Sequence, residues 1–272
     1  MTTSFQHTYP PLQPPNHNLL WFPFQKDRML VQMQDHNATL LQGDESLFAT
    51  VPHGEILYIG TLDGYACLSC EIDEEATLPA GWQALAIREL FGYLPESTYG
   101  VAGYALQILR WQQISRFCPV CATPTASLAG SWGQVCPNCG HSSYPPVIPA
   151  IIVLIYKDDS ILMAHKRGWG KRYGLIAGFV EPGESLEECV RREIYEEAGL
   201  EVSDITYVGS QPWPFPSQLM IGFNARYKSG TAHPDEDELD EVAWFTKDNL
   251  PQIPPPLSLA YTLITAWLQT SA

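Results

Sequence analysis

The stretch from Gly178 to Leu200 constrains this chain more than any other, because it dictates a local structure and a chemistry together. Ser185 is a suitable N-cap, and Glu188 three positions later completes a capping-box pattern. Leu186, Val190 and Ile194 recur every four residues and give the following helix one apolar stripe. Gly199 stands where a helix can end on a left-handed residue. The spacing predicts a glycine-bearing loop running into a helix of about three and a half turns.

Glu193, Glu196 and Glu197 sit at i, i+3 and i+4, so they project from nearly the same side of that helix. In water such carboxylates repel by a few tenths of a kcal/mol per pair, which does nothing for folding. A divalent cation reverses the balance, since hard oxygen donors are what Mg²⁺ or Mn²⁺ prefers. An isolated E-x-x-E-E is usually a solvated acidic face. Here Gly178, five residues, Glu184, seven residues and then Arg192-Glu193-Ile194-Tyr195-Glu196-Glu197-Ala198-Gly199-Leu200 form one constrained pattern.

A second constellation lies upstream. Cys118-Pro-Val-Cys121 and Cys136-Pro-Asn-Cys139 make two C-x₂-C pairs separated by fourteen residues, close to zinc-ribbon spacing. Four protein ligands leave no open position, so the role expected of Zn²⁺ is structural, contributing about 10–16 kcal/mol of binding free energy to folding. Redox dithiols are the competing reading. Cys67-Leu-Ser-Cys70 has no second pair nearby and reads as two ordinary thiols, Cys189 as a packing residue, and His141 as a bystander.

The chain of 272 residues separates by composition into an N-terminal mixed α/β part (1–115), a Pro/Gly/Ser-rich cysteine segment (116–146) and an α/β domain (147–272). Glu55–Gly60 reads as a strand and Trp82–Leu90 as helical. Ile151–Tyr156, the turn Asp158–Ser160 and Ile161–Ala164 read as a hairpin, and Val242–Phe245 as a strand. No internal repeat is visible in the residues. Apolar residues make up 45% and charged residues 17%, enough for a buried core and against wholesale disorder. A net charge of −15 argues against a general nucleic-acid binder, which needs a basic face. Lys166, Arg167, Lys171 and Arg172 form a local basic group all the same. No apolar run reaches the roughly 20 residues of a membrane span. The N-terminus lacks the features of a signal peptide, so a cytoplasmic protein with free thiols is expected.

The glutamate pattern matches every fixed position of the Nudix box, and the chain resembles the Nudix hydrolases. The ribbon and Ser210-Gln-Pro-Trp-Pro-Phe-Pro216 further resemble the NADH pyrophosphatase branch. That resemblance implies a C-terminal α/β/α sandwich, with the box as loop, helix and loop. It implies metal ligation by Glu193, Glu196, Glu197, the Ala177 carbonyl and the distant Glu238. It makes Glu184 and Arg192 a brace between helix and the loop at Gly178. Substrate contacts carried over by position are Tyr144, Phe179, Gln211, Pro212, Trp213, Pro214, Phe215, Pro216, Ser217, Gln218, Met220, Ala260 and Arg88. Two departures stand out: Ser217-Gln218 reverses the order usual after the last proline, and Tyr144-Pro145-Pro146 lacks a polar side chain usual at its third position.

The resemblance implies hydrolysis of NADH or NAD⁺ to a nicotinamide mononucleotide and AMP by a homodimer. Water attacks one phosphorus with Mg²⁺ or Mn²⁺ offsetting charge, and Glu196 or Glu197 is the base. Removal of NAD caps from RNA, hydrolysis of another dinucleotide such as ADP-ribose, and a zinc-ribbon binding module that only senses nucleotides are the competing readings.

Overall fold

The computed structural model describes residues 5–35 and 37–270. The chain divides into two compact units, Met1–Pro146 and Val147–Ala272.

In the first unit the strands are β1 (Gln6–His7), β2 (Leu19–Gln25), β3 (Arg28–Gln34), β4 (Asn37–Thr39), β5 (Leu41–Gln42), β6 (Leu57–Leu62), β7 (Tyr65–Ile72) and β8 (Trp82–Ala86). They form one mixed sheet in which β2 and β7 run parallel. Helix α1 (Glu96–Ile114) follows, burying Val101, Ala105, Leu106 and Ile108. The helix expected over Trp82–Leu90 is corrected. Trp82–Ala86 is a strand paired with β3, and only Ile87–Leu90 makes a short 3₁₀ turn. Cross-strand pairing together with packing of Trp82 on Phe48 (5.5 Å between centroids) overrides the local helical pattern. The cysteine segment carries three two-residue strands, β9 (Ala126–Ser127), β10 (Gln134–Val135) and β11 (Ser142–Ser143).

The second unit is an α/β/α sandwich. Its sheet comprises β12 (Ile148–Lys157), β13 (Ser160–His165), β14 (Ile176–Phe179), β15 (Leu200–Trp213), β16 (Gln218–Gly230) and β17 (Glu241–Thr246). The hairpin β12–β13 turns through Asp158 at φ 50°, as the sequence predicts. Helix α2 (Leu186–Ala198) packs Cys189, Val190, Ile194 and Ala198 on one face of the sheet, against Ile151, Val153 and Ile155. Helix α3 (Leu259–Leu268) packs Leu259, Leu263 and Ile264 on the other, against Ile152 and Leu154. The uninterrupted apolar run of β12 is what a strand buried on both faces requires. Among the described residues no helix is long and apolar enough to cross a membrane.

The expectation of no internal repeat is also corrected, at the level of topology. In the first unit β2 pairs antiparallel with β3 and β5 and parallel with β7, while β3 pairs with β8 and β6 with β7. In the second, β12 pairs antiparallel with β13 and β14 and parallel with β16, while β13 pairs with β17 and β15 with β16. The five pairings recur in the same chain order and sense, and a helix closes each series. Backbone pairing needs only strand-compatible residues at suitable positions, so it can repeat with no residue-level trace.

Candidate active site and zinc site

The site grows from the entry into α2. The Ser185 hydroxyl accepts from Glu188 N–H at 3.3 Å, and the Glu188 carboxylate accepts from Ser185 N–H at 2.8 Å. The helix ends on Gly199 at φ 66°. Between these caps Arg192 acts as a hub. Its Nε and Nη2 donate to the two Glu184 oxygens at 2.8 and 2.9 Å, and Nη2 also reaches the Phe179 carbonyl at 2.9 Å. Nη1 donates to Glu193 at 2.8 Å and to Glu196 at 3.0 Å. One guanidinium thus ties loop, strand end and helix together, and its five fixed donors suit that task. Arg192 holds the Glu184 carboxyl down at about 2.

The three box glutamates occupy different environments. Glu196 is exposed, Glu193 is half-buried, and Glu197 is only 8% exposed. A Cβ on Gly178 would fall 1.8 Å from the Glu193 carboxyl carbon, so the close approach of carboxylate to β14 needs glycine there. Burial pushes the Glu193 carboxyl up against the pull of Arg192. Burial pushes Glu197 further, to about 8, with Glu193, Glu238 and Asp235 adding repulsion and Lys166 opposing it. A carboxyl raised in this way favours folding below its ordinary pKa, and that contribution is lost as pH rises toward 8. A buried carboxylate among others is a cost that a divalent cation offsets. The carboxylates here offer hard oxygen donors, which fits a divalent cation.

Glu238 arrives from a distant loop by backbone docking. The N–H groups of His233 and Asp235 donate to the carbonyls of Ala198 and Glu197 at the end of α2, both at 3.1 Å. Leu239, 6% exposed, anchors the loop in the core. Lys166 Nζ lies 3.7 Å from the Glu238 carboxylate. His165 clamps the same region, with Nδ1 2.6 Å from Asp240 and Nε2 2.8 Å from the Gly170 carbonyl, and these acceptors raise its pKa. The sequence reading missed these supports. No local spacing signals a partner 75 positions away.

The expected Pro/aromatic loop is half strand. Ser210–Trp213 belong to β15, paired Gln211 to Met220, Pro212 to Leu219 and Trp213 to Gln218, with the turn at 214–217. β15 is the outer strand of its sheet, where a proline is tolerated. Trp213 and Phe215 meet edge to face at 5.2 Å, Pro214 is buried, and the Ser217 carbonyl accepts from Ile148 N–H at 2.8 Å. The Gln211 carboxamide donates to the Leu257 carbonyl and accepts from Leu259 N–H, both at 2.8 Å, clamping the start of α3. Ala260, Ala177 and Met220 share one apolar cluster with Leu259. Phe179 ends β14 and is 48% exposed. Arg88 and Tyr144 belong to the first unit, where the Tyr144 ring closes over Gly133.

In that unit the four cysteine sulfurs lie within 4.8 Å of one another. Cys121 Sγ is 3.4 Å from Cys136 Sγ and 3.6 Å from Cys139 Sγ, and Cys118 Sγ is 3.6 Å from Cys139 Sγ. A disulfide spans about 2.05 Å, whereas Zn–S bonds of about 2.3 Å in a tetrahedron put sulfurs roughly 3.8 Å apart. The geometry fits a closed zinc site. The knuckles match each other, with Ala122 N–H bonded to the Cys118 carbonyl (2.9 Å) and Gly140 N–H to the Cys136 carbonyl (3.0 Å). His141 takes part through its backbone, its carbonyl accepting from Cys136 N–H at 2.8 Å and its N–H facing the Cys139 sulfur. Cys67 and Cys70 are buried thiols pushed up to about 12 by desolvation, as ordinary packing residues should be.

Three families match the chain in succession: an NADH pyrophosphatase-like rudimentary NUDIX domain over residues 19–111, an NADH pyrophosphatase zinc ribbon domain over 115–144, and a NUDIX domain over 146–268. The chain belongs to the Nudix family of hydrolases, with a zinc ribbon ahead of its box-bearing domain. It is 42% identical over 212 residues to a protein of Pseudomonas fluorescens named NAD-capped RNA hydrolase NudC, covering 77% of this chain and 76% of that one. A Deinococcus radiodurans protein of the same name is 39% identical over 220 residues, covering 79% and 78%. A solved Nudix hydrolase from Nitrosomonas europaea aligns with a TM-score of 0.46 at 23% identity, covering 57% of this chain and 88% of that one.

Proposed function

We propose that the chain hydrolyses the pyrophosphate bond of NADH and NAD⁺, releasing a nicotinamide mononucleotide and AMP. The observation that carries this reading is the buried Glu197 beside Glu193 and Glu238 at the end of a braced box helix. Glu193, Glu196, Glu197, Glu238 and the Ala177 carbonyl would hold Mg²⁺ or Mn²⁺. A divalent ion supplies charge neutralisation for the diphosphate and acidifies water. Glu196 or Glu197 accepts the proton of the attacking water, while the bridging oxygen departs with the other phosphate. Arg192 keeps the glutamates aligned, and Gln211 keeps the start of α3, with Ala260, against β15. Phe179 and the Trp213–Phe215 pair offer ring faces to a purine or a nicotinamide, with Pro212, Pro214, Pro216, Ser217, Gln218 and Met220 shaping that wall. The enzyme works as a homodimer.

A second reading, removal of NAD from RNA 5′ ends by the same chemistry, is favoured by the names of the relatives and by the basic group at Lys166–Arg172.

Product analysis tests both. The purified protein is incubated with NADH, NAD⁺, ADP-ribose and NAD-capped RNA in Mg²⁺ and in Mn²⁺. AMP and reduced nicotinamide mononucleotide from NADH, ahead of ADP-ribose turnover, are expected. Strong ADP-ribose cleavage with little from NADH would overturn the substrate assignment while keeping the chemistry.

A further inference from the structure

Between Asp159 and Glu181 the chain has no acidic residue, although 30 of its 272 residues are Asp or Glu. That run contains four of the 15 lysines and arginines, Lys166, Arg167, Lys171 and Arg172, and all four fall in the loop joining β13 to β14. The loop has a fixed base. Ala164 and Gly174 exchange two backbone hydrogen bonds at 3.0 and 2.8 Å, and His165 is held by Asp240 and by the Gly170 carbonyl. At its tip stands Trp169. Its ring edge packs on Gly174, the Arg172 guanidinium lies 5.6 Å from a ring centroid, and 36% of the residue stays exposed. Arg167 and Lys171 are exposed on either side. Lys166, at the start of the loop, reaches toward Glu238 and so puts the loop beside the glutamate site.

Elsewhere Lys26, Arg28, Arg110, Arg192, Arg226 and Lys228 lie against carboxylates and Lys157 and Lys247 over aromatic rings, whereas Arg167, Lys171 and Arg172 have no carboxylate within salt-bridge reach among the described residues. The loop therefore concentrates cations opposed by few acids in a chain of net charge −15, around an exposed aromatic ring. Cations flanking a stacking platform are the elements by which proteins hold single-stranded nucleic acid. An RNA chain leaving the 5′ nucleotide of a capped substrate needs such a path to lie against an acidic protein.

We propose that the Lys166–Arg172 loop is the track for the first nucleotides of a single-stranded RNA whose 5′ cap enters the site, with Arg167 and Lys171 on phosphates and a base stacked on Trp169. The inference rests on the reading that capped RNA is a substrate.

The test compares wild type with Arg167→Gln/Lys171→Gln and with Trp169→Ala. One readout is kcat/KM on NAD⁺ and on NAD-capped single-stranded RNA across a salt series. The other is metal-free binding of a fluorescent 5′-monophosphate RNA oligonucleotide. The double variant should keep its NAD⁺ hydrolysis within about twofold, while its salt slope for RNA falls by about 1.4, two contacts at about 0.7 each. Trp169→Ala should weaken oligonucleotide binding about tenfold. Undiminished RNA binding with an unchanged salt slope in the double variant would overturn the proposal, even if Trp169→Ala misfolds. So would a double variant that loses binding to phosphatidylserine vesicles but keeps RNA. Failure of wild type to cleave either substrate would defeat the functional reading instead, and the binding arm would still report on the loop.

Discussion

The two units share a sheet topology and differ in one insertion. Between β14 and β15 the second unit places the thirteen-residue helix α2, whereas between β5 and β6 the first has a four-residue 3₁₀ turn, Glu45–Phe48. Both fill the same face of their sheet. Phe48 and Val51 pack with Trp21, Leu30 and Leu68 in the first unit, where Cys189, Val190 and Ile194 pack with Ile151 and Val153 in the second. A single short turn cannot present carboxylates at i, i+3 and i+4, so the first unit keeps the core of the arrangement without its chemistry. The difference teaches that the pairing of strands is a scaffold, and that function is carried by what one connection puts on it.

The largest effect that could break this contrast is on catalysis. Glu197→Gln should leave the fold intact and lower kcat by about 10²–10⁴-fold, while Glu45→Gln, at the corresponding connection of the first unit, should leave turnover unchanged. Steady-state assays with NADH decide the matter, and full activity in Glu197→Gln would sink the assignment of the site. The next effect is on stability. Phe48→Ala removes the main core contribution of the short turn and should cost about 3–5 kcal/mol. Denaturant melts followed at both units should show the first transition moving well ahead of the second. A loss shared equally by both would mean that the units do not unfold as separate bodies.

The smallest effect sharpens the role of the brace. Glu184 is held at about 2, below its ordinary value, so its bond to Arg192 stabilises the fold above about pH 4.5 and is lost as pH falls toward 2. Thermal melts should therefore show wild type above Glu184→Gln at pH 6, with the gap shrinking to a minor fraction by pH 2.5. A gap as large at pH 2.5 as at pH 6 would show that packing, not charge, explains it.

The box helix and the cysteine knuckles were legible from residues alone because each is local. Ser185 and Glu188 cap within one turn, Val190 and Ile194 share a stripe, and the cysteine pairs close turns of five residues. The helix expected at Trp82–Leu90 was misread because a short apolar stretch does not say whether a partner strand will claim it. The Pro/aromatic segment was half misread for the same reason, as pairing of Gln211 with Met220 extends β15 into it.

The box helix, its caps, the carboxylates at i, i+3 and i+4 and the two cysteine knuckles follow from the residues alone, since periodicity and spacing act over a few residues and need no distant partner. Long-range contacts settle that Glu197 is buried while Glu196 is not, that the loop bearing Glu238 docks on the end of α2 through the His233 and Asp235 backbone bonds, that Gln211 clamps α3, and that the strand pairing of the first unit recurs in the second. Each of these depends on which segments meet across the fold, and solvent exclusion and long-range hydrogen bonding exist only once the chain has closed.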